Sequence, residues 1–154
     1  MAIWNYFKDF MTGAAGIVVY YTAKASARIV NCHKKRVQIE PTIKNKITSI
    51  VPTIDLNKVR IIKNATLPAN WFERPKRTDG MTFGRNIYIK DKSLQFDQGG
   101  IRLLLHELIH VKQISEFGEC KFAARYGKEF VKFGYYNMPL EKEAYDFASK
   151  IRFE

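Results

Sequence analysis

The chain is poor in cysteine and histidine. Its 154 residues include two cysteines and three histidines. Cys32 and Cys120 are too few for a disulfide framework and too far apart for a Cys-x-x-Cys metal clip, so we expect two free thiols. A histidine-based metal site has few candidate ligands, which are His33, His106 and His110. The number and spacing of the cysteines exclude a fold held together by several disulfides and a metal site built on a Cys-x-x-Cys motif.

The chain also lacks a hydrophobic run long enough for a standard transmembrane helix. An uncharged stretch of fourteen residues lies between Asp9 and Lys24. As a helix it spans roughly 21 Å, short of the ~30 Å hydrocarbon core. With Ala25-Ser26-Ala27 behind it, residues 10–27 have weak membrane-anchor or signal-peptide character. We favour a packed or partner-facing helix in an intracellular or particle-associated protein, with a membrane anchor second and a cleaved signal third.

The chain has fewer acidic residues than basic ones. Fifteen Asp and Glu stand against 26 Lys and Arg, which leaves a formal net charge of +11. Such an excess suits an acidic partner such as nucleic acid, an anionic membrane or an acidic protein surface. The basic clusters at residues 33–36 and 74–77 are short and match no recognisable nucleic-acid module. Because a solvated, lysine-rich surface explains the charge equally well, charge alone names no partner.

Length and composition predict one domain with a hydrophobic core, since 46% of the residues are hydrophobic. The residue patterns predict helices over residues 1–35, 41–50, 101–118, 119–132 and 139–153, and short strands near residues 59–62, 81–83 and 86–90. A loop is expected over residues 64–80. Because strands precede the long helices, we predict an α+β fold rather than a doubly wound one. We divide the chain into an N-terminal helical extension, residues 1–50, which is an anchor, a partner-facing segment or a pro-segment, and a domain of residues 51–154.

The most informative feature is the H-E-x-x-H motif of residues 106–110, on a helix that is otherwise almost entirely apolar. Burying two imidazoles and a carboxylate without a hydrogen-bond or metal partner costs several kcal/mol. His106 and His110 are four residues apart, one turn along the same helix face, so both rings can bind one divalent metal ion. Glu107 then lies close to the ion and can act as a general base. This design is typical of a zinc metallopeptidase.

A catalytic zinc ion needs three protein ligands and an open position. The only other histidine, His33, lies upstream of the motif. A metzincin-type continuation fails, because Gln113 and Glu116 occupy the positions where that motif requires Gly and His. A carboxylate from a later helix is therefore the remaining choice for the third ligand.

The last predicted helix offers two such carboxylates. Residues 139–148, P-L-E-K-E-A-Y-D-F-A, resemble the E-x-x-A signature of several gluzincin families. In that interpretation Glu141 is the zinc ligand, and Ala144 is the small residue that lets two helices approach. A shifted alternative takes Glu143 as the ligand, with Asp146 as the acid that orients a ligand histidine. We favour Glu141 and keep Glu143 open.

Four stretches together resemble the zincin-like metallopeptidase domain associated with extracellular contractile injection systems. They are residues 59–61 (V-R-I), 82–89 (T-F-G-R-N-I-Y-I), 104–113 (L-L-H-E-L-I-H-V-K-Q) and 139–144 (P-L-E-K-E-A). The resemblance implies a minimal zincin-like fold, with a small β-sheet packed on the active-site helix and further helices behind it. Tyr145 replaces the acidic residue commonly seen after the alanine. The first fifty residues have no counterpart in this domain.

The resemblance and the motif predict a zinc-dependent metallopeptidase of the gluzincin type, acting on a protein or peptide substrate. Zn²⁺ would be held by His106, His110 and Glu141, with Glu107 as the general base that activates water. The candidate donors to the developing oxyanion are Tyr135, Tyr136 and His33. The strand over residues 82–90 is either an edge to which an extended substrate adds or an ordinary interior strand.

Two alternatives from other classes stay open. The first is a zincin-fold structural or assembly subunit of a larger particle, inactive as an enzyme, in which the metal staples two helices. Its N-terminal helices and basic surface would contact the rest of the assembly. The second is a basic, nucleic-acid-associated protein with a protease-like fold, for which a steep salt dependence of DNA binding is required.

Overall fold

The computed structural model describes residues 2–68, 79–90 and 97–151, with side chains described from residue 11 onward. These residues form an α+β fold of five α-helices and a four-stranded mixed sheet, which confirms the predicted class. The helices are α1 (Ala2–Val30), α2 (Pro41–Ile50), α3 (Gln98–Phe117), α4 (Glu119–Phe133) and α5 (Pro139–Lys150). The strands are β1 (Arg36–Val37), β2 (Arg60–Ile62), β3 (Gly80–Phe83) and β4 (Asn86–Ile89). Single 3-10 turns lie at Leu56–Lys58 and Tyr135–Asn137.

The sheet has the strand order β1-β2-β4-β3. β1 is antiparallel to β2, and β3 is antiparallel to β4. The central pair, β2 and β4, is parallel, with Arg60 opposite Asn86. β3 therefore forms one edge of the described sheet, whereas β4 lies inside it.

Both faces of the sheet are buried. The side chains along β4 alternate between two core clusters, one on each face. Ile87 and Ile89 join a core cluster with Leu104 and Leu108 of α3, whereas Tyr88 joins a second cluster that includes residues of α1 and α4. Successive side chains of a strand point to opposite faces. The sheet is thus packed between α2 and α3 on one face and α1 on the other.

α1 packs closely against α4 through two glycines. A Cβ atom at Gly16 would lie 2.6 Å from the carbonyl oxygen of Ala123, and one at Gly127 would lie 2.8 Å from the Cα of Gly16. Neither position has room for a side chain, because the two backbones nearly touch. The first helix is therefore packed onto the rest of the chain. No helix within the described ranges has the length and apolar character needed to cross a membrane.

The predicted element boundaries hold to within a few residues, with two differences. The helix predicted over residues 1–35 ends at Val30, and residues 36–37 pair with β2 instead. The last helix, predicted to reach residue 153, ends at Lys150, and residues 152–154 lie outside the described residues. Most of the predicted loop and the basic cluster at residues 74–77 also lie outside them. The division at residue 50 stays a prediction.

Candidate metal centre

Helices α3 and α5 bring the site together. α3 begins after Asp97, whose side chain accepts a hydrogen bond from the backbone N–H of Gly100 at 2.8 Å. Such a cap satisfies one of the free N–H groups at the start of a helix. At the start of α5, Glu129 of α4 accepts the N–H of Leu140 at 3.0 Å. This bond ties the first turn of α5, which carries Glu141, to α4.

His106, His110 and Glu141 form one buried group. Their exposed fractions are 7%, 6% and 2%. The Nε2 atoms of the two histidines lie 3.1 Å apart. Glu141 Oε2 lies 3.2 Å from His106 Nε2, and Glu141 Oε1 lies 3.5 Å from His110 Nε2. Each residue offers one ligand atom, and these atoms all lie within 4.8 Å of one another, so the group could hold a metal ion.

The spacing of these atoms fits a tetrahedral metal site. Metal–ligand bonds of about 2.0–2.2 Å at tetrahedral angles place neighbouring ligand atoms roughly 3.3–3.6 Å apart, and the three separations here are within 0.2 Å of that range. Among the described residues, the buried His106 Nδ1 and Glu141 Oε2 also have no hydrogen-bond partner. A buried carboxylate oxygen without a partner is costly, and coordination would remove that cost. Two imidazoles and a carboxylate suit zinc and several other divalent ions, so the donor set alone does not fix the metal.

Gln113 orients His110. Its side-chain Oε1 lies 2.9 Å from His110 Nδ1, and its Nε2 donates to the carbonyl oxygen of Leu140 and to Glu143 Oε2, both at 3.0 Å. The amide orientation follows from those two acceptors, since only the NH₂ group can donate to them. Oε1 must then accept the Nδ1 proton of His110. This tautomer leaves the Nε2 lone pair of His110 facing Glu141, as metal coordination requires.

Tyr126 of α4 holds the third member of the group. Its hydroxyl donates to Glu141 Oε1 at 2.7 Å. Burial disfavours ionisation of Glu141, but the neighbouring rings of His110 and His106 outweigh it and lower the pKa of this carboxyl well below its usual range. Burial likewise opposes protonation of His110, but Glu141 outweighs it and raises the pKa of His110 to about 9. Without a metal, the group is therefore a buried imidazolium–carboxylate pair.

Glu107 is buried beside this group, against the edge strand β3. Thr82 Oγ1 donates to Glu107 Oε2 at 2.6 Å. A Cβ atom at Gly80 would lie 2.5 Å from Glu107 Oε1, so only glycine leaves space for the carboxylate there. Oε1 accepts no hydrogen bond from the part of the chain that the structure describes. This oxygen is free to accept a proton.

The group and Glu107 line one side of a cavity of about 70 Å³. Most of its other lining residues belong to three elements: Gly80–Phe83 of β3, Phe122 and Tyr126 of α4, and Gly16, Val19, Tyr20 and Ala23 of α1. A volume of this size holds a few water molecules. α1 is therefore part of the wall of the candidate site.

The other site residues predicted from the sequence differ in whether they line the cavity beside His106, His110 and Glu141. Tyr135 lines the cavity, whereas Tyr136 is 64% exposed. His33 is exposed in the turn after α1. Glu143 is half exposed on α5, and among the described residues Gln113 is its link to the site. Asp146 is exposed, and no hydrogen bond joins it to either ligand histidine within the described ranges.

Five contributors were not among the predicted site residues, and Thr82, which holds Glu107, is one of them. Gln113 carries a sequence signal, because it follows His110 by three residues on one helix face. Tyr145 was noted only as a departure from the resemblance, yet its ring lies 4.4 Å from the ring of His106. Tyr126 and Gly80 carry no local signal, since their contacts with Glu141 and Glu107 join elements that are distant in sequence.

Comparison with known protein families gives one match. A family model described as the eCIS core domain matches residues 39–117, just over half of the chain. The matched region runs from before α2 to the end of α3 and includes the whole H-E-x-x-H motif. It ends before α4 and α5, so Glu141 lies beyond it. No curated protein and no solved structure matches the chain.

Proposed function

The chain belongs to the eCIS core domain family, and on this premise we propose that it is a zinc-dependent metallopeptidase associated with an extracellular contractile injection system. The observation that best supports this proposal is the buried group of His106, His110 and Glu141, spaced as metal ligands. Glu107 lines the same cavity, and Thr82 holds its Oε2 in a hydrogen bond while Oε1 accepts none from the described residues. The zincin-like identity rests on this arrangement and on the motif.

His106, His110 and Glu141 would hold the ion, and Gln113 and Tyr126 would keep two of them in place. When bound, zinc supplies Lewis-acid polarisation of a carbonyl and makes water acidic enough to lose a proton near neutral pH. Glu107 would accept that proton on Oε1, while Thr82 keeps the carboxylate in position through Oε2. It would then pass the proton to the leaving amine.

Tyr135 is the best placed of the candidate donors to the developing oxyanion. It lines the cavity with Glu107 and Glu141. Burial and, after it, the Glu141 carboxylate raise the pKa of Tyr135 above its ordinary value. Its hydroxyl therefore keeps its proton at neutral pH and can donate it in a hydrogen bond. The exposed Tyr136 and His33 do not share this position.

A polypeptide substrate needs more space than the cavity provides. An extended segment could pair with the edge strand β3, whose residues line the cavity. Val19, Tyr20 and Ala23 of α1 line the same cavity, and Tyr20 accepts a hydrogen bond from the N–H of Gly84 at 2.9 Å. We therefore propose that α1 moves away from β3 before a protein substrate is cleaved.

The direct test combines metal analysis with cleavage. The intact protein is loaded with zinc and incubated with casein, which is an unstructured substrate. A second assay uses the other proteins of the same injection particle as substrates. Glu107→Gln should retain zinc and lose cleavage. Glu116→Gln changes a half-exposed glutamate of the same helix and should retain both. Cleavage by the Glu107→Gln variant at the wild-type rate would show that Glu107 is not the general base.

One observation favours a second candidate, an assembly subunit in which the metal joins two helices. Met11, Val18 and Ile29 of α1 are 50%, 65% and 71% exposed. At about 100° per residue they lie within about 20° of one another on the helix. An exposed apolar stripe of this kind often marks a protein contact. Bound zinc without cleavage, together with loss of particle association in a Val18→Glu, Ile29→Glu variant, would support this role.

A further inference from the structure

A second concave surface lies on the α1 side of the sheet, beside the last turns of that helix. It is a pocket of about 740 Å³, more than large enough for a small molecule. Of its thirteen described lining residues, seven are Lys or Arg and none is Asp or Glu. It shares no lining residue with the cavity at the metal group.

Four arginines from four different segments meet in this pocket: Arg28 of α1, Arg36 of β1, Arg60 of β2 and Arg85 of the β3–β4 turn. The strand register explains the convergence. Arg36 is paired with Ile62, and Arg60 precedes Ile62 by two residues, so both arginines lie on the same face of the sheet. The N–H of Arg60 also donates to the carbonyl oxygen of Arg85 at 2.8 Å.

The four guanidiniums differ from the lysines of the pocket in their ion pairing with the described residues. Within residues 2–68, 79–90 and 97–151, none of them forms an ion pair. The three lysines of the pocket are engaged: Lys24 with Glu119, Lys58 with Asp55 at 3.1 Å, and Lys34 with the carbonyl oxygen of Asn64 and the hydroxyl of Thr66. Placing unpaired like charges together is unfavourable, and a bound anion would relieve that repulsion.

Tyr88 lines the pocket, and its pKa responds to two of the arginines. Burial raises the pKa of Tyr88, and Arg28 and Arg60 both oppose that rise. A guanidinium on α1 and one on β2 therefore act on the same phenol ring. Two of the arginines therefore lie near one side chain that lines the same pocket.

We propose that this pocket binds a compact polyanion, a small molecule carrying several phosphate groups. The guanidinium fork matches phosphate oxygens two at a time, and four such forks around one hollow suit a clustered set of phosphates. Nucleic acid is favoured by a basic stripe that follows a backbone, whereas these arginines converge on a single concavity. The site is independent of the proposed peptidase centre.

The test uses the intact chain and sodium tripolyphosphate as the probe, with binding measured by titration calorimetry at fixed ionic strength. Arg60→Gln, Arg85→Gln should weaken binding about tenfold or more, because each substitution removes charge-assisted hydrogen bonds to phosphate. The control variant Arg102→Gln, Lys121→Gln removes the same charge from exposed residues outside the pocket and should change binding by less than about twofold.

Each remaining outcome decides the proposal. A second pair, Arg28→Gln, Arg36→Gln, should weaken binding as the first pair does, and circular dichroism confirms that all variants are folded. Equal losses in the control would show a non-specific charge effect and overturn the site. No binding of tripolyphosphate overturns it as well. Tighter pocket-dependent binding of a single-stranded oligonucleotide or of poly-glutamate would replace the small polyanion by nucleic acid or an acidic protein.

Discussion

Gln113 accepts a hydrogen bond from His110 Nδ1 at 2.9 Å while its amide group donates to the carbonyl oxygen of Leu140. One fully buried side chain thus fixes the ring of a candidate ligand and connects α3 to α5. The connection matters because the third candidate ligand, Glu141, follows Leu140 directly. The spacing of the metal group depends on how α3 and α5 pack, and Gln113 is part of that packing.

Replacing Gln113 should therefore weaken metal binding without removing a ligand. We expect Gln113→Ala to lower zinc affinity about 10–100-fold, because the ring of His110 loses the partner that fixes its tautomer. The measurement is competition with a chelator of known affinity. Gln98→Ala, at the exposed first residue of α3, is the control and should leave the affinity unchanged. Unaltered affinity in Gln113→Ala would show that the hydrogen bond has no part in metal binding.

Gly80 should be needed for the reaction rather than for the metal. A Cβ atom there would lie 2.5 Å from Glu107 Oε1, so Gly80→Ala forces the proposed base out of its place. We expect zinc content to stay at the wild-type level and cleavage to fall at least about tenfold. Gly99→Ala is a suitable control, since its Cβ would meet only Asp97 Oδ1 at 3.6 Å. If Gly80→Ala cleaves normally, Glu107 does not act from the position described.

Much of the site was predictable from sequence because it is local. His106 and His110 are one helical turn apart, and that relation survives any tertiary packing. Glu141 and Glu143 are different, since two residues on a helix point about 200° apart and only packing decides which one faces α3. The structure places Glu141 beside the histidines and leaves Glu143 half exposed. β1 was missed for the same reason, since its two residues become a strand only by pairing with β2.

The metal-free protein should lose stability as the pH rises. Beside Glu141, the pKa of His110 is raised to about 9 from an ordinary value near 6.5. A raised pKa in the folded state adds stability that is complete below about 6.5 and is lost as the pH rises through about 9. Urea unfolding of the metal-free protein between pH 6 and 10 should show this fall. His110→Leu should lack it, whereas the exposed His33→Gln should keep it.

Movement of α1 can be tested by a reversible crosslink. A Cβ atom at Gly13 would lie 3.7 Å from the Cβ of Ala124, which is within the range of disulfides. The nearer Lys128 Cε, at 2.9 Å, belongs to a flexible side chain that can shift. In a Cys32→Ser, Cys120→Ser background, which removes the two exposed thiols, Gly13→Cys, Ala124→Cys should form a bond that holds α1 on α4. We expect the oxidised protein to keep its zinc and lose cleavage of casein, and the reduced protein to regain it. Cleavage at equal rates in both states would show that the substrate reaches Glu107 while α1 stays in place, whereas absence of cleavage in both would count against the peptidase itself.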